Sequence, residues 1–258
     1  MATTFKSLGS GDVTTTRTLL HESIPVTGSI VSGTYGGSTI ALGSEPHIKT
    51  YSHGMFQSVY DYPYLSSSAN HIFDITVGYA NNSALSASSN SQNAKKINIY
   101  NQMAQVLMGY DETGSVRQFD QDGDIIAGGT KLKECVFFNF SRLLYKDEIK
   151  KGSFELELGV SGAYTTPGST EFLSRVKLTD YSGSAGYFVN SPAGEYGVLF
   201  VTASSPYTSP GVMAANQYEK AGLLFYQAGV AIITASVFTT AENVAEAMGG
   251  AATGGGIL

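Results

Sequence analysis

Apolar positions along the chain recur with two periods, and these periods predict its secondary structure. From Ile72 to Tyr79 apolar and polar side chains alternate, which predicts a strand with Asp74, Thr76 and Gly78 on its polar face. Short strands broken at Pro25, Gly28 and Gly33 are predicted over residues 13–35. Alternation or continuous apolar runs predict further strands at residues 136–144, 154–160, 175–179, 194–202 and 222–238, the last hinged near Ala228-Gly229.

Two of these predicted strands carry opposite charges on one face. Glu155 and Glu157 alternate with apolar side chains in the first, and Arg175 and Lys177 do so in the second. Since opposite charges stabilise cross-strand pairs, we predict that these strands are neighbours.

One helix is predicted, from about residue 94 to residue 110. Its buried face is predicted from five apolar side chains at helical spacing: Ile99, Met103, Val106, Leu107 and Tyr110. A second stripe carries amides and no charge: Asn98, Asn101, Gln102 and Gln105. Solvated helix faces normally carry Glu and Lys, so we predict that this stripe packs against backbone or another subunit.

The remaining segments define the domain organisation. Residues 1–12 are predicted to be a flexible or partner-bound arm, and residues 239–258 a short helix followed by a flexible tail. Residues 80–93 are rich in Ser, Asn and Ala, which predicts a long exposed loop or a segment ordered by a partner. No linker interrupts residues 13–238. We therefore predict one α+β domain, mostly antiparallel β, sandwich- or barrel-like, with one central amphipathic helix.

Composition favours a protein that is covered by other subunits. Only 14% of the 258 residues are charged, against roughly 25% in ordinary soluble domains. Interface cores are depleted in charge and enriched in aromatic residues, although a neutral, β-rich soluble domain would show a similar composition. The net charge of −6 argues against nucleic-acid binding. No apolar run approaches the ~20 residues of a membrane span, and no signal peptide is recognisable, so we expect cytoplasmic synthesis.

Motifs for metal and cofactor binding fail at their decisive positions. Asp120, Asp122 and Asp124 resemble the start of a calcium loop, but Ile125 and Lys131 stand where Gly and Glu are needed. A hairpin turned at Asp122-Gly123 explains these acids without a metal. The four histidines lack zinc-site spacing, and phosphate-binding glycine loops are absent. Cys135 is alone and lies in an apolar run, which predicts a core residue. We predict no metal site and no cofactor.

The stretch "YDYPYLSSSANHIFDITVGYA", residues 60–80, combines Ser, His, Asp and Tyr. A hydrolase would need a nucleophile elbow, Gly-x-Ser-x-Gly, which the chain lacks. Strand alternation would place His71 and Asp74 on opposite faces, so we predict that they do not pair and that no catalytic residues are present. Tyr60, Tyr62 and Tyr64 remain, with Pro63 extending the chain. They line either a contact surface or the edge of their own core.

Several long blocks carry a resemblance to a known family. They include "LLHESIPVTGSIVSGTY", "HGMFQSVYDYPYLSSSANHIFDITVGY", "KINIYNQMAQVLMGYD", "GGTKLKECVFFNFSRLLYKDEIKKGSFELELG" and "YFVNSPAGEYGVLF" followed by "GLLFYQAGVAIITASVF". Over about residues 13–238 the chain resembles virion structural proteins of tailed bacteriophages, in particular T4-like phages of marine bacteria and cyanobacteria. The resemblance provides no catalytic residues to transfer.

The resemblance implies a non-enzymatic assembly protein of the phage tail, baseplate or neck. Its partners would be other phage structural proteins and copies of itself, and its location would be the virion after synthesis in the host cytoplasm. A capsid-associated or decoration protein is one alternative. A host-surface module whose aromatic side chains bind saccharide is another.

Overall fold

The computed structural model describes residues 48–51, 55–87, 93–125, 128–141, 148–159, 175–202 and 219–237. The predicted arm at residues 1–12, the strands at residues 13–35 and the carboxyl-terminal helix and tail at residues 239–258 lie outside these ranges.

The described chain is built from antiparallel strands and one α-helix, which confirms the predicted α+β, mostly β fold. The strands are β1 (Ile48–Thr50), β2 (Gln57–Tyr60), β3 (His71–Tyr79), β4 (Glu134–Phe140), β5 (Glu155–Gly159), β6 (Arg175–Thr179), β7 (Phe188–Ser191), β8 (Gly194–Thr202), β9 (Lys220–Phe225) and β10 (Val230–Thr234). The helix α1 spans Asn93–Leu107, and 3₁₀ turns lie at Ala84–Ala87 and Ala235–Val237.

All ten strands belong to one sheet that curls into a half-barrel. Its order is β1-β2-β3-β4-β10-β9-β8-β6-β5, and β7 pairs with β8. Strands β5 and β6 are antiparallel neighbours, and the Lys177 Nζ atom lies 2.9 Å from Glu155 Oε2, which confirms the pairing predicted from their charges. Strands β9 and β10 are joined at Gly229, whose φ of 67° suits the turn, as the predicted hinge requires.

Each face of the sheet buries its own apolar cluster because side chains alternate along the central strands. Val136 and Phe138 of β4 contribute to one cluster, together with Val77 of β3. Cys135 and Phe137 of the same strand contribute to the other cluster, which also contains the buried side of α1. Cys135 is fully buried, as predicted for a core residue.

Helix α1 crosses the sheet at Gly78, on the polar face predicted for β3. A Cβ atom at Gly78 would lie 2.9 Å from both Lys96 O and Tyr100 N, so the absence of a side chain lets the two backbones approach. The helix ends before Gly109, which adopts a φ of 73° and donates its N–H to Ala104 O at 3.1 Å.

The predicted buried face of α1 is partly wrong. The side chains buried on the helix are Lys96, Ile99, Tyr100, Ala104 and Leu107, and Met103 is half-buried. Val106 is 66% exposed, and Tyr110 lies beyond the helix and is 50% exposed. Tyr100 is buried in their place because its hydroxyl donates to Leu132 O at 2.7 Å. This hydrogen bond joins the buried side of the helix to a residue 32 positions away.

Residues 80–93 were predicted to be a long exposed loop or a segment ordered by a partner. Asn81, Asn82 and Ala84 are exposed, whereas Ala80 and Ser83 are buried, so the prediction of an exposed loop is only partly correct where the segment is described. Ser83 is buried, and its hydroxyl donates to Glu134 of β4. Asn93 accepts a hydrogen bond from Tyr79 at 2.7 Å and donates to Ser86 O at 2.7 Å. These polar contacts hold the segment between β3 and α1. Residues 88–92 lie outside the described ranges.

The hairpin predicted at Asp122-Gly123 is also shifted. A tight turn occurs instead at residues 111–115, where Gly114 N donates to Asp111 O and Tyr110 pairs with Val116. The second reversal is longer, since Asp120 pairs with Lys131. Gly123 closes a turn on Asp120 O at 3.1 Å with a φ of 78°.

Candidate contact surface

The loop between β2 and β3, residues 61–70, is fastened at its base. Asn70 donates its backbone N–H to Asp61 Oδ1 at 2.6 Å and its side-chain N–H to Asp61 Oδ2 at 2.8 Å. Asp61 N in turn donates to Asn70 O at 3.1 Å. Within the loop, Ser66 N donates to Pro63 O at 2.8 Å and Ala69 N to Ser66 O at 3.2 Å. These bonds give the loop a defined shape.

The loop presents two large side chains to solvent. Tyr62 is 56% exposed and Leu65 is 71% exposed. Tyr60 and Tyr64 are half-buried, with ring centroids 6.3 Å apart. The structure therefore separates the three predicted interface tyrosines. Tyr62 points outward, while the other two support the loop.

Behind the loop, Tyr60 and Tyr64 belong to an aromatic cluster with a cation. The Lys49 Nζ atom of β1 lies 5.0 Å from the ring centroid of Tyr51 and 6.0 Å from that of Tyr64. The rings of Tyr60 and His71 are 5.5 Å apart. Partial burial, together with Tyr51 and the negative charge of Asp74, raises the pKa of the Tyr60 phenol.

His71 and Asp74 lie together in this region, so the prediction that they occupy opposite faces is wrong. The His71 Nε2 atom lies 2.8 Å from Asp74 Oδ1. The cause is a β-bulge: Val59 pairs with Phe73 and Tyr60 pairs with His71, so Ile72 is an extra residue. A bulge interrupts the alternation of side chains, and it brings residues three apart to the same side of β3.

Ser58 completes a three-residue polar cluster. It is buried, and its hydroxyl donates to Asp74 Oδ1 at 2.5 Å. The Asp74 carboxylate is therefore the shared partner of Ser58 and His71, and the Ser58 hydroxyl points to Asp74. In a hydrolase triad the serine would instead contact the histidine. This geometry links β2 to β3 and positions His71 under the Tyr60 ring.

Sequence reasoning missed Lys49 and Ser58 as members of this site. Lys49 lies in β1, a strand of three residues that was too short to show a period. Ser58 lies in β2, which has four residues. The local aromatic density at Tyr51 was the one available signal, and it did not identify partners.

The amide stripe of α1 lies on solvent-facing parts of the helix. Asn98, Gln102 and Gln105 are exposed, and Asn101 is half-buried. Val106 adds an exposed apolar side chain beside Gln105. The stripe does not share a site with the loop, because α1 crosses β3 at Gly78, eight residues from Asn70. Eight residues of strand span about 26 Å.

The acidic cluster near Asp120 is neutralised by lysines. Lys131 Nζ lies 2.5 Å from Asp120 Oδ2, and Asp122 forms an ion pair with Lys220. Asp120 is fully buried and also accepts a hydrogen bond from Asp122 N at 2.8 Å. Over the part of the chain that the structure describes, no group of three His, Cys, Asp or Glu side chains forms a metal-binding cluster.

Comparisons with known proteins return no relative. No protein-family model, no curated protein and no solved structure matches the chain. Within the described ranges, α1 and the shorter turns lack the length and apolar character needed to cross a membrane.

Proposed function

We propose that the chain is a non-enzymatic structural subunit of a tailed-phage particle, located in the tail, baseplate or neck. It contacts copies of itself and other phage structural proteins. The observation that carries the proposal is the fastened β2–β3 loop, which presents Tyr62 and Leu65 to solvent. The resemblance to virion structural proteins supplies the biological setting.

The loop has the physical properties of a preorganised contact. Binding is weakened by the entropy of ordering loops and side chains, and a loop that is already hydrogen-bonded avoids much of that cost. Tyrosine is enriched at interface hot spots because it buries a large ring and keeps a polar bond. Tyr62 and Leu65 therefore supply an aromatic and an aliphatic anchor for a neighbouring subunit.

The helix supplies a second contact in this proposal. Its exposed amides at Asn98, Gln102 and Gln105, next to the exposed Val106, can bind a partner's backbone without burying a charge on the helix. The base of the loop and the point where α1 crosses β3 are about 26 Å apart along the strand. A subunit with two separated contacts can join two neighbours, as an assembly component must.

The saccharide-binding alternative receives less support. Lys49 lies over the rings of Tyr51 and Tyr64, so these faces already hold a cation. Tyr62 is the exposed ring that remains in this loop. One exposed ring without a second parallel platform is a weak sugar site, whereas it is a common interface anchor.

The proposal is tested in purified particles of the phage that encodes the chain. Mass spectrometry should detect the chain at a fixed copy number relative to the major tail proteins. A Tyr62→Ala/Leu65→Ala variant should enter particles at least about tenfold less well, as loss of a hot spot predicts. Tyr181→Ala/Val189→Ala is the matched control, since these side chains are 53% and 69% exposed elsewhere.

Each outcome separates the alternatives. Absence of the chain from particles contradicts the proposal. Labelling on the head rather than the tail assigns the chain to the capsid-associated class. Normal incorporation of the loop variant overturns the role of the loop, and saccharide binding that is lost with Tyr62→Ala alone favours the host-surface class.

A further inference from the structure

A cavity of about 510 Å³ opens between α1 and the two reversals that follow it. Its volume falls within the roughly 300–1,000 Å³ range of small-molecule sites. It is lined by Asn81, Tyr100, Asn101, Met108, Asp111, Ser115, Val116, Arg117, Gln118, Ile125 and Lys131. The lining combines an aromatic and aliphatic wall with amides and three charged groups.

Two of these charged groups already have partners. Asp111 Oδ1 accepts hydrogen bonds from Thr113 N at 2.8 Å, Thr113 Oγ1 at 2.7 Å and Ser115 N at 2.9 Å. Lys131 is bonded to the fully buried carboxylate of Asp120. The acid therefore caps its own turn, and the lysine is paired with a buried carboxylate.

Arg117 differs from them. Its backbone N–H donates to Gly109 O at 3.0 Å, which fixes the base of the side chain. Its charge contributes, after the hydrogen bonds from Thr113 and Ser115, to lowering the pKa of Asp111. Among the described residues its guanidinium nevertheless forms no ion pair with a carboxylate. A guanidinium held in a cavity offers two parallel N–H donors, which match a carboxylate.

We infer that this cavity binds a carboxylate-bearing group on Arg117, with Asn81 and Asn101 as polar neighbours and Tyr100 and Met108 as the apolar wall. One guanidinium offers one pair of parallel N–H donors, which suits a ligand with a single carboxylate. The amides of Asn81 and Asn101 suit the carbonyl and N–H groups that accompany a carboxylate in amino-acid chemistry. This site is separate from the β2–β3 loop, so it does not rest on the proposed function.

Two sources carry this chemistry: a free small carboxylic acid, and an acidic side chain of a neighbouring polypeptide. The test titrates the purified full chain with N-acetyl-glutamic acid amide, N-acetyl-glutamine amide and butyrate, each of the two acids carrying one carboxylate, followed by calorimetry and amide chemical shifts. A ligand of this size is expected to bind with a Kd of about 1 mM. The glutamine compound should bind at least about tenfold more weakly, because it lacks the charge.

Substitutions of Arg117 test whether its guanidinium binds the carboxylate. Arg117→Gln should weaken binding of the glutamic acid compound at least about tenfold, and Arg117→Lys should weaken it less because a charge remains. Lys150→Gln removes an exposed charge outside the cavity and should leave the Kd unchanged. An unchanged unfolding temperature and unchanged amide chemical shifts in the β-sheet establish that each variant is folded.

The outcomes are decisive. Binding of butyrate more tightly than the blocked glutamic acid assigns a free acid, and the reverse order assigns an acidic side chain of a partner. Equal binding of the glutamic acid and glutamine compounds, equal Kd values for wild type and Arg117→Gln, or no binding near millimolar concentration overturns the inference.

Discussion

The Nε2 atom of His71 lies 2.8 Å from the Oδ1 atom of Asp74, and Ser58 donates its hydroxyl to that same oxygen at 2.5 Å. The three side chains meet because Ile72 forms a bulge in β3. The contact fastens β2 to β3 directly below the loop that carries Tyr62. Its integrity therefore controls how rigidly the proposed contact surface is held.

The first prediction concerns the buried hydroxyl of this cluster. Ser58→Ala removes a hydrogen bond to a carboxylate and should lower the free energy of unfolding by about 1.5–3 kcal/mol. Urea unfolding measures the change. Ser67→Ala, at an exposed position in the adjacent loop, should change it by less than about 0.5 kcal/mol. Equal effects of both substitutions would show that the cluster is energetically unimportant.

A second prediction concerns the pH dependence of the β2–β3 loop. Partial burial opposes ionisation of Asp61, but hydrogen bonds from Asn70 outweigh it and lower the pKa of Asp61 below its ordinary value of 3.8. A lowered pKa in the folded state means that the stabilisation is present above 3.8 and is lost as the pH falls through the folded-state pKa. Amide hydrogen exchange in residues 62–69 should therefore accelerate over that acid range.

Substitution of Asp61 tests the cause. Asp61→Ala should accelerate exchange in the loop already at neutral pH and abolish its acid dependence. The control is Asp111→Ala, which removes an equivalent cap from the turn at residues 111–115. Its effect should be confined to that turn. Unchanged exchange in the Asp61 variant would mean that the loop is held by other contacts.

The third prediction concerns the buried lysine of α1. Lys96 is 4% exposed, and burial, followed by the charge of Lys95, lowers its pKa below 10.5. No hydrogen-bond or ion-pair acceptor for its ammonium group is found among the described residues. Among the described residues the buried polar atom without a partner is Tyr226 Oη and not the Lys96 ammonium, so solvent still reaches that ammonium and its desolvation is partial. Lys96→Met should therefore raise the free energy of unfolding at neutral pH by up to about 1 kcal/mol.

The sign of the pH effect follows from the lowered pKa. Between the folded-state pKa of Lys96 and 10.5 the unfolded chain binds more protons, so wild-type stability should rise with pH relative to the methionine variant. Lys95→Met is the control, since Lys95 is exposed on the same helix. A destabilised Lys96→Met variant would indicate that the ammonium group has an acceptor that stabilises it.

The fourth prediction concerns the crossing of α1 over β3. Gly78→Ala places a Cβ atom 2.9 Å from two backbone atoms of the helix, and neither can move alone. Overpacking of this kind should cost about 1–3 kcal/mol, and thermal unfolding measures it. Gly186→Ala, whose nearest contact is Ser182 O at 3.3 Å in an exposed turn, should cost less. If the two costs were equal, the close approach would not limit the packing.

Local patterns in the sequence determined most of the secondary structure. Strands β3, β4, β5, β6, β8, β9 and β10 and helix α1 were predicted because alternation, apolar runs and helical spacing indicate which side of an element faces the core. The charges of Glu155 and Lys177 even identified one strand pair. These signals are local, since each depends on residues a few positions apart.

Only the tertiary structure decided the site. The bulge at Ile72 brought His71 to Asp74, and the buried Tyr100 of α1 donates its hydroxyl to the distant carbonyl of Leu132. With β2 paired to β3, Tyr62 is exposed, whereas Tyr60 and Tyr64 are half-buried and pack against each other. The reason is physical: a bulge or a long-range hydrogen bond is selected by partners far away in the sequence. The periodicity of neighbouring residues does not indicate which distant residues will be those partners.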